Sequence, residues 1–173
     1  FVQSLFVSQY MDSGLHTAVE SGIVVPVNLE VTDGNTTLYI EDTLVDTSRI
    51  AFTYRVIKGN GKYGDPYFEP SGERRFVFKD AEGNELPQIG MESWSRVDEQ
   101  FGMYSFDLPL DFEHDQIFLS FNVEKIGFKS GNWDVEIPFD LTAAREQTEI
   151  YAQEATHIVD GVAVELHDLQ FTV

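Results

Sequence analysis

The side chains that could carry chemistry in this sequence are carboxylates and a few histidines, because the chain has no cysteine. The histidines are His16, His114, His157 and His167. No two of them lie two or four residues apart, the spacing that directs two imidazoles at one metal ion. His157 and His167 flank the last predicted hairpin and could face each other across it, although two solvated strand residues is the favoured interpretation. The absence of cysteine excludes a disulfide scaffold, Cys-ligated zinc, iron–sulfur clusters and thiol catalysis. We therefore predict no metal site and no cofactor.

Two acidic runs are dense enough to be weighed as cation sites. Residues 80–85 resemble a calcium loop superficially, but Gly83 is fourth in the run rather than sixth, and the twelfth position is Met91 rather than Glu. Residues 111–115 offer carboxylates that could bind a cation weakly, and a solvated charged loop is the favoured interpretation. No carboxylate pair is marked by its local context for glycoside hydrolysis. The nucleophile-elbow, H-E-x-x-H, P-loop and dinucleotide-binding motifs are also absent from the sequence. We predict that the chain is not an enzyme, and a hydrolase using paired acids is the least favoured alternative.

Four aromatic residues could form a binding surface. Tyr63, Tyr67 and Phe68 lie in the connection 58–71, which glycines and prolines punctuate and which is predicted to be a surface loop. Trp94 lies in a segment with no clear period. Exposed aromatic rings of this kind hold carbohydrates and peptides in many binding domains. The alternative is that the rings cap the end of the fold. We therefore predict that a ligand or partner would bind a surface formed by Tyr63, Tyr67, Phe68 and Trp94. None of the four is predicted to be catalytic.

The charge of the chain sets a further limit on its partners. Its 173 residues carry 11 Lys and Arg against 30 Asp and Glu, which gives a formal net charge of −19. A nucleic-acid backbone needs clustered basic residues, so the composition excludes a general nucleic-acid binder. The hydrophobic fraction of 42%, with 14 Phe and 7 Tyr, is sufficient to fill a core. A chain of this length predicts one domain, or one domain and a fragment of a second.

The elements that must position the aromatic residues are predicted to be strands. From Ile23 onward, apolar and polar residues alternate, which is the period of a half-buried strand. The segments with this pattern are residues 23–31, 38–40, 50–56, 76–78, 103–110, 117–123 and 133–139. Turn signals separate them, and none is followed by a long amphipathic helix. The pattern therefore predicts a mostly β fold, an antiparallel β-sandwich.

The two ends of the chain differ from this pattern. Apolar spacing of three and four residues predicts a short helical segment over residues 1–22, followed by a β-sandwich domain over 23–173. The Asp160–Gly161 pair predicts a hairpin over 154–173. This hairpin either closes the sandwich or opens a second domain. We favour the first, because an isolated two-stranded hairpin is marginally stable in water. The longest uncharged run, residues 1–11, is too short to cross a bilayer.

Several stretches together resemble a known family. They are a short helix with Gly14, Leu15 and Ala18, then residues 26–34 (PVNLEVTDG), a strand at 36–40, residues 46–54 (DTSRIAFTY) and residues 131–141 (GNWDVEIPFDL). In this order they resemble the extracytoplasmic domain of a Firmicutes family with no assigned biochemical function. That domain occurs on membrane-anchored proteins described as negative effectors, or anti-sigma factors, of extracytoplasmic-function (ECF) sigma factors. The likeness is strongest over residues 14–54 and 133–141, whereas residues 63–96 depart from the family pattern.

The resemblance implies a single-pass membrane protein. A cytoplasmic segment absent from this chain would hold the sigma factor, and a helix would cross the membrane just before Phe1. The domain itself would have an immunoglobulin-like fold and lie on the extracytoplasmic side of the Gram-positive membrane. The family pattern includes no catalytic residues. The implied partners are an unidentified envelope ligand or protein, with no nucleic acid.

Two functions are consistent with these expectations. In the first, the chain is a non-catalytic sensor domain: a ligand shifts a two-state equilibrium, and the N-terminal helix passes the bias to the membrane segment. In the alternative, it is a secreted or cell-surface β-sandwich that binds a wall glycan or peptide through Trp94 and the loop at residues 63–68.

Overall fold

The computed structural model describes residues 24–46, 48–72, 75–87, 90–96, 100–109, 112–146, 148–151, 155–159, 162–166 and 169–172. For residues 92–96 and those after 147, it describes the backbone alone. The predicted N-terminal helix over residues 1–22 lies outside the described residues.

The described elements are strands and one short helix. In chain order they are β1 (Val24–Asp33), β2 (Thr36–Val45), β3 (Arg49–Lys58), β4 (Val77–Asp80), β5 (Gly90–Arg96), β6 (Phe101–Asp107), β7 (Gln116–Ile126), β8 (Lys129–Asp140), α1 (Thr142–Glu146), β9 (Thr148–Tyr151), β10 (Ala155–Val159), β11 (Val162–Leu166) and β12 (Leu169–Thr172). No helix within the described ranges is long and apolar enough to cross a membrane.

Strands β1 to β8 form two antiparallel sheets. The first has five strands in the order β1-β2-β3-β6-β5, and the second has three in the order β4-β7-β8. The orders β2-β3-β6-β5 and β4-β7-β8 match the A-B-E-D and C-F-G sheets of the immunoglobulin fold, and β1 adds an edge strand beside the first of these. The predicted fold class, a mostly β, immunoglobulin-like antiparallel β-sandwich, is confirmed.

The core lies between the two sheets and follows the predicted alternation. Every second residue of β3, β7 and β8 enters it, and these side chains are Ile50, Phe52, Tyr54, Val56, Ile117, Leu119, Phe121, Val123, Trp133, Val135, Ile137 and Phe139. Trp133 is 1% exposed, as its place in the alternating pattern predicts. Its indole Nε1 donates a hydrogen bond of 3.0 Å to the Thr36 carbonyl oxygen. The buried polar atom is therefore satisfied, and it ties β8 to β2.

Strand β3 and its neighbour β6 have buried side chains on both faces of their sheet, whereas a sheet of a sandwich commonly has one face in water. The alternation along β3 predicts water on the face opposite the core. The side chains of Ala51 and Thr53 on that face are nevertheless 0% exposed, and Met103 on the neighbouring β6 is 3% exposed. Strand β3 lies in the middle of its five-stranded sheet, where small and β-branched residues are typical of a strand buried on both faces.

Three described elements lie outside the predicted strand segments. Edge strand β5 pairs with β6 over its whole length. Its sequence, GMESWSR, is too polar for alternation to show. Helix α1 and strand β9 follow β8. Helix α1 begins after Asp140, whose carboxylate accepts a hydrogen bond from the Thr142 backbone N–H at 3.0 Å and caps the helix. This hydrogen bonding also lowers the pKa of Asp140.

The last four strands pair among themselves in the described part of the chain. Strand β10 pairs with β11 around the predicted turn, with Val159 opposite Val162. Strand β9 pairs with β12, with Tyr151 opposite Leu169. The hairpin predicted over 154–173 thus has arms that begin at residue 148. Whether it closes the sandwich domain or opens a second one stays a prediction.

Replacing Tyr104 with phenylalanine is expected to make the domain less sensitive to alkali. Burial raises the pKa of the Tyr104 phenol to about 12, and nearby Glu69 and Tyr67 add to the effect. An unfolded chain ionises tyrosine near pH 10, so the free energy of unfolding should fall as pH rises from about 10 to 12. The variant removes this loss. It also removes the hydrogen bond from the Tyr104 hydroxyl to the Phe68 carbonyl oxygen, so it should be less stable at pH 7 by about 1 kcal/mol. Urea unfolding at several pH values measures both effects. An unchanged alkaline slope would contradict the assignment.

Candidate functional site

One end of the sandwich is built from three connections that backbone hydrogen bonds join. The Gly59 N–H in the β3–β4 loop donates to the Asn35 carbonyl oxygen in the β1–β2 turn at 2.7 Å. Further along the same loop, the Tyr67 carbonyl oxygen accepts from the Gly127 N–H in the β7–β8 turn at 3.3 Å. The loop therefore crosses from the five-stranded sheet to the three-stranded sheet. We call these connections, residues 34–35, 59–71 and 127–129, the aromatic end.

Part of the β3–β4 loop alternates between buried and exposed residues as a strand does, although it belongs to neither sheet. Between residues 64 and 70 the even-numbered positions are buried and the odd-numbered positions are exposed. Phe68 is 2% exposed, whereas the preceding Tyr67 is 54% exposed. The Phe68 ring packs against Tyr54 with ring centroids 4.6 Å apart, and its backbone bridges to Ile126 of β7. The prediction that Phe68 belongs to an exposed surface is wrong, because this alternation turns its ring into the core.

The two tyrosines of the loop are exposed as predicted, and they have different neighbours. Tyr63 is 43% exposed, and the Arg55 guanidinium lies 4.7 Å from its ring centroid. Arg55 also pairs with Glu41 at 3.0 Å, so the cation that holds Tyr63 is itself anchored to the five-stranded sheet. Tyr67 lies beside β7, and its hydroxyl donates to the Glu69 carboxylate at 2.8 Å.

The position of Trp94 is described through its backbone. Trp94 lies on edge strand β5 and pairs in register with Met103 of β6. Its side chain is outside the described part of the structure, so its membership of the predicted surface stays a prediction. Of the four predicted residues, the structure places Tyr63 and Tyr67 at the aromatic end and Phe68 in the core.

The most exposed ring of the aromatic end is not among the four predicted residues. Phe128, in the β7–β8 turn, is fully exposed, at 103% of its reference area. Gly127 precedes it with a φ of +56°, a conformation that glycine favours and that makes a two-residue turn. Strand β8 begins directly after Phe128, at Lys129. An aromatic residue inside so tight a turn was the available signal, since its side chain has no strand face on which to pack.

The end of the sandwich opposite the aromatic end has a concave surface. A groove of about 480 Å³ opens between β1 and β8 beside α1. Its walls are mostly apolar and include Val25, Val45 and Phe139. Val25 is 54% exposed, so the groove is accessible to a small apolar group. The carboxylate of Asp140 lies at its rim.

The two acidic runs form structural contacts in the described residues. The Asp80 carboxylate accepts hydrogen bonds from the Asn84 backbone and side-chain amides at 2.8 and 2.9 Å, which lower the pKa of Asp80. In the run 111–115, the Arg145 side chain binds the Asp115 carboxylate and the carbonyl oxygens of residues 112–114. His157 pairs in register with Val164. Within the described ranges, no three His, Asp or Glu side chains are grouped so as to hold a metal ion.

Comparison with known proteins adds one finding on the fold. The fold is similar to that of a solved bacterial protein. The crystal structure of a conserved domain protein from Bacillus anthracis matches with a TM-score of 0.60 at 14% sequence identity, over 87% of this chain. The match covers 52% of that protein's chain, so this chain spans about half of its length. No family model matches the sequence, and no curated protein matches it. At this identity the likeness shows a shared fold and nothing about function.

Proposed function

We propose that this chain is a non-catalytic interaction domain of the bacterial cell envelope that binds its ligand at the aromatic end. The observation that carries the proposal is the exposure of Tyr63, Tyr67 and Phe128 on connections that are hydrogen-bonded to both sheets. Single exposed apolar residues are ordinary, whereas several at one end of a scaffold mark an interaction site. Loops held by a rigid sandwich are also where such domains commonly bind.

The distribution of the rings favours an extended ligand. Tyr63 packs on Arg55 of the five-stranded sheet, whereas Tyr67 lies against the turn that follows β7. A small molecule would contact one ring, whereas a glycan strand or an extended peptide can contact rings that lie near different sheets. The proposed ligand class is therefore a wall glycan or a peptide.

Removal of a single exposed ring is expected to weaken binding without unfolding the domain. The probes are a disaccharide–tetrapeptide fragment of peptidoglycan and a linear chitotetraose, titrated by calorimetry. Tyr67→Ser and Phe128→Ser should each weaken binding about tenfold or more, as expected for aromatic residues at the centre of an interface. The midpoint of urea unfolding should change little, because both side chains are exposed.

Two control variants make the result specific. Met91→Ser removes an apolar side chain with the same 43% exposure as Tyr63 but on β5, and should leave binding unchanged. Val25→Ser alters the groove between β1 and β8. If Val25→Ser abolished binding and Tyr67→Ser did not, the ligand site would be the groove and the proposal for the aromatic end would be wrong.

A more specific form of the proposal is the sensor domain of a membrane-anchored anti-sigma factor. Its support is that the stretches carrying the family resemblance pack together. The Asn132 N–H donates to the Asp33 carboxylate at 2.8 Å, and Trp133 donates to Thr36. A common scaffold with a divergent stretch at residues 63–96 suits a family whose members sense different ligands. In the full-length protein, Tyr67→Ser should then reduce the ligand response of an ECF-dependent reporter, and Met91→Ser should not.

A further inference from the structure

We propose that the ligand of the aromatic end is an anionic polymer, a chain of sugars or polyols joined by phosphodiester groups. This inference rests on the proposed function, the binding of an extended envelope ligand at the aromatic end, and names an anionic wall polymer as that ligand in place of a neutral glycan or a peptide. The observation behind it is the position of the lysines. Four of the chain's five lysines, Lys58, Lys62, Lys125 and Lys129, lie in or beside the connections of the aromatic end. The fifth, Lys79, lies on β4.

Backbone contacts hold these four lysines at one end of the molecule. The Lys58 N–H donates to the Lys62 carbonyl oxygen at 2.8 Å, closing the first turn of the β3–β4 loop. Lys125 and Lys129 flank the β7–β8 turn, where Lys125 pairs with Ser130 and Ile126 with Lys129. All four side chains are exposed. None of them forms a salt bridge with a residue that the structure describes.

The carboxylates on the same connections are mostly engaged by the protein. Asp33 accepts from the Asn132 N–H at 2.8 Å, Asp65 accepts from the Tyr67 N–H at 2.9 Å, and Glu69 accepts from the Tyr67 hydroxyl. Glu124 is the fourth acid and is exposed. These hydrogen bonds do not remove the negative charge of the carboxylates. The described part of this end therefore carries four lysines against four acids and is close to neutral, in a chain with a net charge of −19.

The rest of the negative charge does not prevent an anion from approaching this end. Strand β8 has 12 residues and is therefore about 40 Å long. Electrostatic screening at physiological salt acts over about 8 Å. The acids near the groove end are several screening lengths away from the aromatic end, so a polyanion there interacts chiefly with the four lysines and the four carboxylates of the connections themselves.

The lysines and the exposed rings together indicate which chemical class of polymer this end would bind. Ammonium groups are compact charges that bind single phosphate groups without fixed geometry. Aromatic faces pack against the C–H surfaces of sugars and polyols. Since the lysines lie in two separate turns, Lys58 and Lys62 at the start of the β3–β4 loop and Lys125 and Lys129 at the β7–β8 turn, a polymer with repeated phosphates can meet both turns, which a single phosphate cannot do.

The test uses a synthetic glycerol-phosphate oligomer as the polyanion and chitotetraose as the neutral glycan, titrated by calorimetry. We expect the oligomer to bind, with affinity falling at least about tenfold between 50 and 200 mM salt as counterions are exchanged. Lys125→Gln combined with Lys129→Gln should weaken this binding about tenfold, and Phe128→Ser should weaken it further. Lys79→Gln is the matched control and should have no effect.

Each alternative result has a distinct meaning. If chitotetraose or the peptidoglycan fragment bound through Tyr67 without any salt dependence, the proposed function would stand and the polyanion inference would be wrong. If the oligomer bound equally well to the lysine variant, the inference would also be wrong. Binding to anionic phospholipid vesicles but not to the oligomer would replace the polymer with a membrane surface. If none of the four probes bound, both proposals would be overturned.

Discussion

Trp133→Ala is expected to destabilise the domain by about 3–5 kcal/mol, the range for removing a buried tryptophan from a core. The side chain is 1% exposed and is the largest that is fully buried in the described core. Its loss leaves a cavity between the sheets. It also leaves the Thr36 carbonyl oxygen without the indole N–H that it accepts at 3.0 Å, and an unsatisfied buried acceptor carries its own cost. Since most small domains are stable by about 5–15 kcal/mol, a large part of the native stability should disappear.

Urea unfolding followed by circular dichroism measures this change. Trp133→Phe is an informative intermediate, because it retains most of the apolar volume and removes the hydrogen bond. It should lie between the wild type and Trp133→Ala. Phe128→Ala is the matched control for aromatic loss, since its ring is fully exposed, and surface substitutions usually change stability by less than about 0.5 kcal/mol. Equal midpoints for Trp133→Ala and Phe128→Ala would show that the sheets do not pack on Trp133 as described.

Gly102→Ala is expected to destabilise the domain by about 1–3 kcal/mol through overpacking. Gly102 on β6 pairs with Tyr54 on β3, and the Tyr54 ring lies over the space where a side chain would be. A Cβ added at Gly102 would lie 2.3 Å from both the ring carbon Cζ and the hydroxyl oxygen of Tyr54. Tyr54 is 2% exposed and is packed against Phe68 and Tyr104. The ring therefore has no room to move aside.

Gly90→Ala is the control for this substitution. Gly90 lies on the adjacent strand β5, and an added Cβ would meet its nearest neighbour, an Asp107 carboxylate oxygen, at 3.9 Å, an ordinary contact. The control should therefore be neutral or slightly stabilising, because alanine restricts the unfolded chain more than glycine does. The two variants are compared by their urea midpoints. A Gly102→Ala midpoint no lower than that of Gly90→Ala would refute the close approach of Tyr54.

The candidate site was predictable only in part. The composition of residues 58–71 predicts a surface loop with aromatic residues, and Tyr63 and Tyr67 are exposed there. Tyr67 and Phe68 are neighbours in the sequence, and no local pattern indicates that one ring is exposed and the other buried. Phe68 is buried because its backbone bridges to Ile126, which lies 58 residues further along the chain. A pairing between residues so far apart cannot be predicted from the local sequence.

The grouping of the lysines is a second feature of this kind. Lys58 and Lys125 are far apart in the sequence, and neither lies in a run of basic residues. They meet at one end because β3 and β7 both run toward it, and the β3–β4 loop then joins their turns. A site assembled from separate turns is visible only once strand order and direction are known.

Alternation of apolar and polar residues was sufficient to predict the sandwich and the inward faces of β3, β7 and β8, because a strand places successive side chains on opposite faces and water selects one of them. The same pattern placed Trp133 in the core. The tertiary structure decided what local periodicity does not contain: the edge position of polar β5, the burial of β3 on both faces, and the meeting of lysines and aromatic rings at one end. These features depend on which strands are neighbours, and the neighbours are set by packing between residues that are distant in the chain.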